Sequence, residues 1–206
     1  MTPAERDALD WTKSGGLLPA VVQHADSGEV LMLGYMDRSA LDRTLESRRV
    51  TFWSRSRARL WTKDETSGNL LALDAVCADC DRDTLLVLAR PSGPVCHTGT
   101  ATCFAASPAP AAVFLARLDA LVQRRERERP QGSYATALFT DGIGRIAQKV
   151  GEEAVETALA AVTRDDAGVL DEAADLAFHL LVLLRARGLG LADLARRLES
   201  RHRDRP

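Results

Sequence analysis

The sequence carries no excess of charge of either sign. Lys+Arg 27 against Asp+Glu 29 leaves a net charge of -2, which excludes a nucleic-acid binder that works through bulk positive charge. It also lacks a run able to form a membrane helix. The longest stretch without a formal charge, Pro91 to Ala116, is interrupted by Pro91, Gly93, Pro94, Gly99, Pro108 and Pro110, so no continuous helix crosses it. The opening residues, MTPAERDALDW, lack a basic flank followed by an apolar core, so no secretory signal is expected. Cysteine is absent outside Cys77–Cys103. Four clustered thiols without a secretory signal point to a reducing compartment, where they serve metals or catalysis more often than disulfides. The expectation is a soluble cytoplasmic protein with no membrane and no nucleic-acid partner. What is present, 46% hydrophobic and 27% charged residues over 206 positions, is the composition of a folded chain with one large domain or two small ones.

Periodicity favours two. LPAVVQH and EVLMLGYM flank Asp26-Ser27-Gly28, a hairpin signal. A short helical pattern follows over Ser39–Glu46, with Ser39 as its expected cap. VTFWSRS and ARLWTKD form a second expected hairpin, and LLALDAV and TLLVLAR two further strands. Beyond Val113 only helical patterns occur, over 113–129, 134–140, 143–162, 167–187 and 191–203. Between them AASPAPAA, residues 105–112, has the composition of a semi-extended linker. The expected organisation is an N-terminal α+β, strand-rich domain over 1–104, a linker over 105–112 and a C-terminal all-α helical bundle over 113–206.

The densest chemistry lies in CADCDRD, Cys77–Asp83, and CHTGTATC, Cys96–Cys103. Asp79, Asp81 and Asp83 recur at period two, so a strand would place them on one face. Three carboxylates so close repel unless a hard cation or a basic ligand neutralises them. An EF-hand loop counted from Asp79 would need Gly and Glu where Thr84 and Arg90 stand, so that motif is excluded. On the same strand Cys80 would face the other way, and with Cys96 and Cys103 it supplies three soft thiolates suited to zinc with a fourth position open. Two alternatives use the same residues: a closed four-cysteine zinc site that includes Cys77, or buried thiols without metal. His97 is a candidate proton shuttle or metal ligand.

VTFWSRSRARLWTKDETSGN, ADCDRDTLL and CHTGTATCF, in that order, resemble phosphoribosyl-AMP cyclohydrolase of histidine biosynthesis over about residues 15–104. The resemblance implies magnesium on Asp79, Asp81 and Asp83, and zinc on Cys80, Cys96 and Cys103, shared between two subunits. Cys77 falls outside that ligand set. The implied reaction opens an adenine ring by adding water at C6 and breaking the N1–C6 bond. Zinc would lower the pKa of a bound water, and His97 is the expected proton-handling residue. The substrate carries phosphate monoesters. Arg55, Arg57, Arg59 and Lys63 are the expected contacts to it, the three arginines sharing a face if the strand is regular. Trp53 and Trp61 are expected to fill core.

A second constellation joins KVGEEAVE, Lys149–Glu156, to LDEAAD, Leu170–Asp175. Glu153 and Glu156 are three apart, as are Glu172 and Asp175, so each pair lines one helix face. TRDDAG can turn the chain between them, and two acidic faces turned together need Mg²⁺ between them. The competing reading is two solvated acidic faces. Against it, LAFHLLVLL follows Asp175 directly and is apolar on all sides, which places the acids near a bundle core or an interface.

GSYATALFTDGIGRIAQKVGEEAVE and ADLAFHLLVLL resemble phosphoribosyl-ATP pyrophosphohydrolase over roughly 113–202. This implies a dimeric helical bundle with magnesium on Glu153, Glu156, Glu172 and Asp175, Glu152 being an additional candidate. It also implies cleavage of phosphoribosyl-ATP with release of pyrophosphate. Lys149 is either a phosphate contact or the partner of Glu153 at i+4. His179 is expected to be a packed, hydrogen-bonded histidine. The implied whole is a homodimeric bifunctional enzyme whose second domain makes phosphoribosyl-AMP for the first. A zinc-stapled binding module and a general nucleotide pyrophosphohydrolase with an inert first domain are the rival readings.

Overall fold

The structure, a computed structural model, describes residues 1–63, 68–106 and 110–203. Residues 64–67, the end of the second hairpin motif, and 107–109 of the expected linker lie outside them. The chain divides into two compact units, Met1–Val113 and Phe114–Pro206.

The first unit runs α1 (Pro3–Asp7), β1 (Leu18–His24), β2 (Val30–Met36), α2 (Arg38–Ser47), β3 (Thr51–Ser54), β4 (Arg59–Thr62), β5 (Leu71–Ala78) and β6 (Leu85–Pro91). Four strands form a sheet in the order β2-β1-β6-β5, and β3 pairs with β4 separately. The β1–β2 and β5–β6 pairs are antiparallel, while β1 and β6 run parallel. Alternation sets the inner face: Leu18, Ala20 and Val22 on β1 and Leu85, Val87 and Ala89 on β6 are all buried. On β5 the buried positions are Leu71 and Leu73, then Val76. A bulge between Leu73 and Ala75 adds one residue and switches the parity. Cys77 is left exposed as a result.

Phe52 and Trp61 close over this core as a tilted ring pair 5.8 Å apart. Phe52 approaches β2 so closely that a Cβ on Gly34 would sit 2.4 Å from its ring, so glycine there makes room for the hairpin. Helix α2 buries Ala40, Leu41 and Thr44. Its cap is Asp37, whose carboxylate accepts from the Ala40 N–H at 2.7 Å; Ser39, the expected cap, lies inside the first turn. Both residues are good cap formers, and the chain uses the earlier one.

The second unit contains α3 (Ala111–Glu128), whose first turn precedes it, α4 (Tyr134–Asp141), α5 (Ile143–Thr163), α6 (Asp166–Ala186) and α7 (Leu191–Arg203). Gly142, at φ 88°, ends α4 and starts α5, a left-handed conformation that favours glycine. The two long helices α5 and α6 pack along each other as a helical hairpin across a two-residue turn. The core is small: Val122, Ala135, Leu138, Phe139, Ile146 and Val182, with Phe178, Leu183 and Ala186 against it. The LAFHLLVLL segment is not enclosed on every side. His179, Leu181 and Val182 are buried, but Ala177 is exposed and the other five residues are half-buried. No helix among the described residues is long and apolar enough to cross a membrane.

Candidate active sites

In the first unit the three aspartates meet in a loop. β5 ends at Ala78, so Asp79, Asp81 and Asp83 occupy the β5–β6 turn and not one face of a strand, and Cys80 is not on the opposite face of one. The Asp79 carboxylate accepts from the backbone N–H of Asp83 at 3.0 Å and of Thr84 at 3.1 Å. The Asp79 N–H in turn donates to the Thr84 carbonyl at 3.0 Å. Desolvation opposes ionisation of Asp79, but the two backbone donors prevail and hold its carboxyl below the usual range. Curled this way, the three residues bring carboxylate oxygens within 4.8 Å of one another.

A cation already faces them. Lys13 Nζ lies 2.7 Å from Asp81 and 3.3 Å from Asp83. The segment carrying Lys13 is tied down by buried Leu9 and Trp11 and by the Asp10 N–H donating to the Arg82 carbonyl at 2.9 Å. The two carboxylates raise the Lys13 pKa.

Cys96 and Cys103 belong to the segment after β6. The Cys103 N–H donates to the Leu31 carbonyl at 2.8 Å, fastening that segment to β2. The Thr98 hydroxyl donates to the Cys96 sulfur at 3.1 Å. With the Thr98 N–H and weaker contributions from Thr100 and Cys103, it lowers the Cys96 thiol to about 6, so a thiolate is available at neutral pH. His97 Nδ1 is 3.8 Å from the Cys96 sulfur, on an exposed side chain. Cys80 is exposed on the acidic loop. Among the described residues of one chain, no cysteine joins a three-ligand group.

The second hairpin does not present its arginines as one row. β3 stops at Ser54 and β4 starts at Arg59, so Arg55 and Arg57 lie in the connecting turn. A tight turn breaks the alternation that a regular strand would impose. The Arg55 guanidinium lies 3.9 Å from the centre of the Tyr35 ring. The buried Lys63 places Nζ 5.7 Å from the centre of the Trp61 ring.

In the second unit Glu153 and Glu156 on α5 and Glu172 on α6 bring carboxylate oxygens within 4.8 Å of one another. The Asp175 carboxylate is not part of that group. Its backbone carbonyl instead lies 2.8 Å from His179 Nδ1. A carbonyl only accepts, so Nδ1 donates, and His179 Nε2 faces the Tyr134 hydroxyl at 2.8 Å. The packed, bonded histidine thus stands 3.6 Å from Glu153. Lys149 bridges Glu153 at 2.7 Å and Glu152 at 3.0 Å, and this contact holds the buried Glu153 carboxyl below its usual range against desolvation. Glu172 is held by Arg164 at 2.5 Å. Lys13, Tyr134 and Arg164 were not among the residues the sequence singled out. All three reach their partners across turns or between elements, where spacing carries no signal.

Both units match known families. The model of phosphoribosyl-AMP cyclohydrolase matches residues 32–105, and that of phosphoribosyl-ATP pyrophosphohydrolase matches residues 115–202. Among curated proteins, the histidine biosynthesis bifunctional protein HisIE of Xylella fastidiosa is 64% identical over 195 residues, covering 95% of this chain and 93% of its own. The protein of the same name from Xanthomonas axonopodis is 62% identical over 194 residues, 94% and 93% of the two chains. That of Escherichia coli K12 is 54% identical over 202 residues, 98% and 99%.

Proposed function

The chain belongs to the family of bifunctional histidine-biosynthesis proteins that join a phosphoribosyl-AMP cyclohydrolase to a phosphoribosyl-ATP pyrophosphohydrolase, and from that membership we propose how its two sites divide the work. The C-terminal domain cleaves phosphoribosyl-ATP to phosphoribosyl-AMP and pyrophosphate. The N-terminal domain then hydrolyses the N1–C6 bond of the adenine ring. The observation that carries the division is one gathered carboxylate cluster in each domain, Asp79–Asp81–Asp83 and Glu153–Glu156–Glu172.

Both clusters suit a hard divalent ion, because each presents only carboxylate oxygens at mutual distances one cation can bridge. Magnesium bound there would neutralise phosphate charge and orient water, and zinc on Cys80, Cys96 and Cys103 would activate water for ring opening. Asp175 completes the C-terminal set in this reading by turning its carboxylate inward. Within the chain itself, Lys149 holds Glu153 ionised, and the Tyr134–His179–Asp175 links fix the helix face that carries the acids. In the N-terminal domain Thr98 keeps Cys96 ready as a thiolate. His97 takes the proton-handling role, and Arg55, Arg57, Arg59 and Lys63 meet the phosphates.

Homodimerisation is part of the proposal. Cys80 on one loop and Cys96 with Cys103 on another do not form a complete ligand group in one chain, and a site shared by two chains would complete it. Val155, Leu159 and Val162 recur along α5 at helical spacing and, with Leu170, are 55 to 80% exposed. A second copy of the domain would cover such a face. The same reading places the protein in a reducing cytoplasm, which would keep its four cysteines reduced and available to zinc.

The test supplies phosphoribosyl-ATP and follows pyrophosphate and ring-opened product together. Pyrophosphate must appear first and ring-opened product after it. Equal turnover of ordinary nucleoside triphosphates would instead favour a general pyrophosphohydrolase.

A further inference from the structure

Arg164 stands at the C-terminal end of α5, in the TRDDAG turn and outside both carboxylate motifs. Its guanidinium lies 2.5 Å from Glu172 Oε1, in the same carboxylate group as Glu153 and Glu156. Glu172 is mostly covered, with 15% of its side chain exposed, while Arg164 is 54% exposed. The ammonium of Lys149 lies on Glu153 of the same group.

The path of the Arg164 side chain is shaped by a glycine. Gly168 lies in the first turn of α6, its N–H donating to the capping Asp165 carboxylate at 3.0 Å. A Cβ on Gly168 would meet both Cβ and Cδ of Arg164 at 3.0 Å. The missing side chain leaves room in the tight α5–α6 turn for the Arg164 stem and for the capping Asp165 carboxylate, which the same Cβ would meet at 3.4 Å.

A cation bound by Glu153, Glu156 and Glu172 must compete with this guanidinium for Glu172. Once displaced, the arginine stays tethered at the rim with its planar fork of donors free, and the anion entering beside the metal is a polyphosphate. We infer that Arg164 exchanges partners during turnover: it neutralises Glu172 in the resting site and binds the β- and γ-phosphates, the departing pyrophosphate, when metal and substrate enter. The inference rests on the pyrophosphohydrolase reading of this site and adds a substrate-binding residue to it.

The partner exchange makes two opposite demands on one substitution. In the full-length protein, the component of Mn²⁺ binding that Glu172→Gln abolishes belongs to this site. Arg164→Ala should tighten that component, by about two- to fivefold for a pair this exposed. The same substitution should weaken competitive inhibition by magnesium pyrophosphate, and raise KM for phosphoribosyl-ATP, each by about tenfold, the loss expected for a charge-assisted contact. The change in kcat should be much smaller. Arg164→Lys, which keeps the charge, should recover most of the pyrophosphate affinity. If Arg164→Ala leaves pyrophosphate inhibition unchanged, or weakens metal and pyrophosphate binding in parallel, Arg164 only supports Glu172 and the inference is wrong. If Glu172→Gln removes no Mn²⁺ binding and spares pyrophosphate release, the metal reading of the site has failed first.

Discussion

At the scale of single residues, two contacts outside the metal clusters make measurable demands. His24 Nδ1 accepts from the N–H groups of Asp26 and Ser27 at 3.1 and 3.4 Å, in the turn that joins β1 to β2. Desolvation lowers its pKa from the ordinary 6.5, although Asp26 and Glu29 act the other way. The unfolded chain therefore takes up this proton at higher pH than the folded one. The stability from neutral His24 is complete above about pH 6.5 and is lost as pH falls through the lower folded value. His24→Gln should flatten the dependence of the urea midpoint on pH below neutrality, and an unchanged slope would remove His24 from the account. Tyr134→Phe deletes the hydroxyl that faces Nε2 of buried His179. It should cost about 1 kcal/mol in urea unfolding, the low end for an unpaired buried acceptor, because the Tyr134 rim is open to water. The aspartate cluster was legible at this scale because its members are close in sequence, and the glutamates because each pair repeats at helical spacing, although Asp175 does not join the gathered group. Lys13 was not, since 68 positions separate it from Asp81.

At the scale of elements, periodicity located β1 to β6 and α2 to α7 because each repeats its pattern over enough residues to be read. α1, five residues long, is too short to show a period. What alternation could not reveal was where a strand stops. The aspartates at period two imitate a strand face, yet they sit in a turn because the Asp79 carboxylate captures the backbone of Asp83 and Thr84. Likewise the row of Arg55, Arg57 and Arg59 is broken by the turn between β3 and β4. Close approach of two elements is also hidden in sequence, and Gly34 marks one such place. Gly34→Ala puts a methyl 2.4 Å from the Phe52 ring, so the β3–β4 hairpin must shift, at about 1–3 kcal/mol. Thermal melts should show a loss larger than a surface substitution gives. Phe52→Leu added to Gly34→Ala should cost less than the sum of the two single changes, because the clash is shared. Strict additivity would mean that the two elements do not press on each other there.

At the scale of the whole molecule, the two units each have their own core and their own carboxylate cluster, so damage to one site should not reach the other. Cys103→Ser should abolish ring opening and leave pyrophosphate release nearly intact. Glu153→Gln should do the reverse, because it takes one negative oxygen from the C-terminal cluster and strips Lys149 of its closest partner. A folded variant of either kind that loses both activities would contradict two independent sites. The same independence bears on assembly. Cutting the chain within 105–112 should leave two fragments, each dimeric by light scattering. The N-terminal one would dimerise if, as proposed, its three cysteines complete a zinc site only with a second chain. The C-terminal one would do so because Val155, Leu159, Val162 and Leu170 need cover. Mixing N-terminal fragments carrying Cys80→Ser with others carrying Cys103→Ser separates shared sites from private ones. If the zinc draws its thiolates from two chains, one of the two sites in the mixed dimer regains all three cysteines, and ring opening returns to about half of wild type in that species. If every zinc is held within one chain, each protomer remains defective and mixing restores nothing.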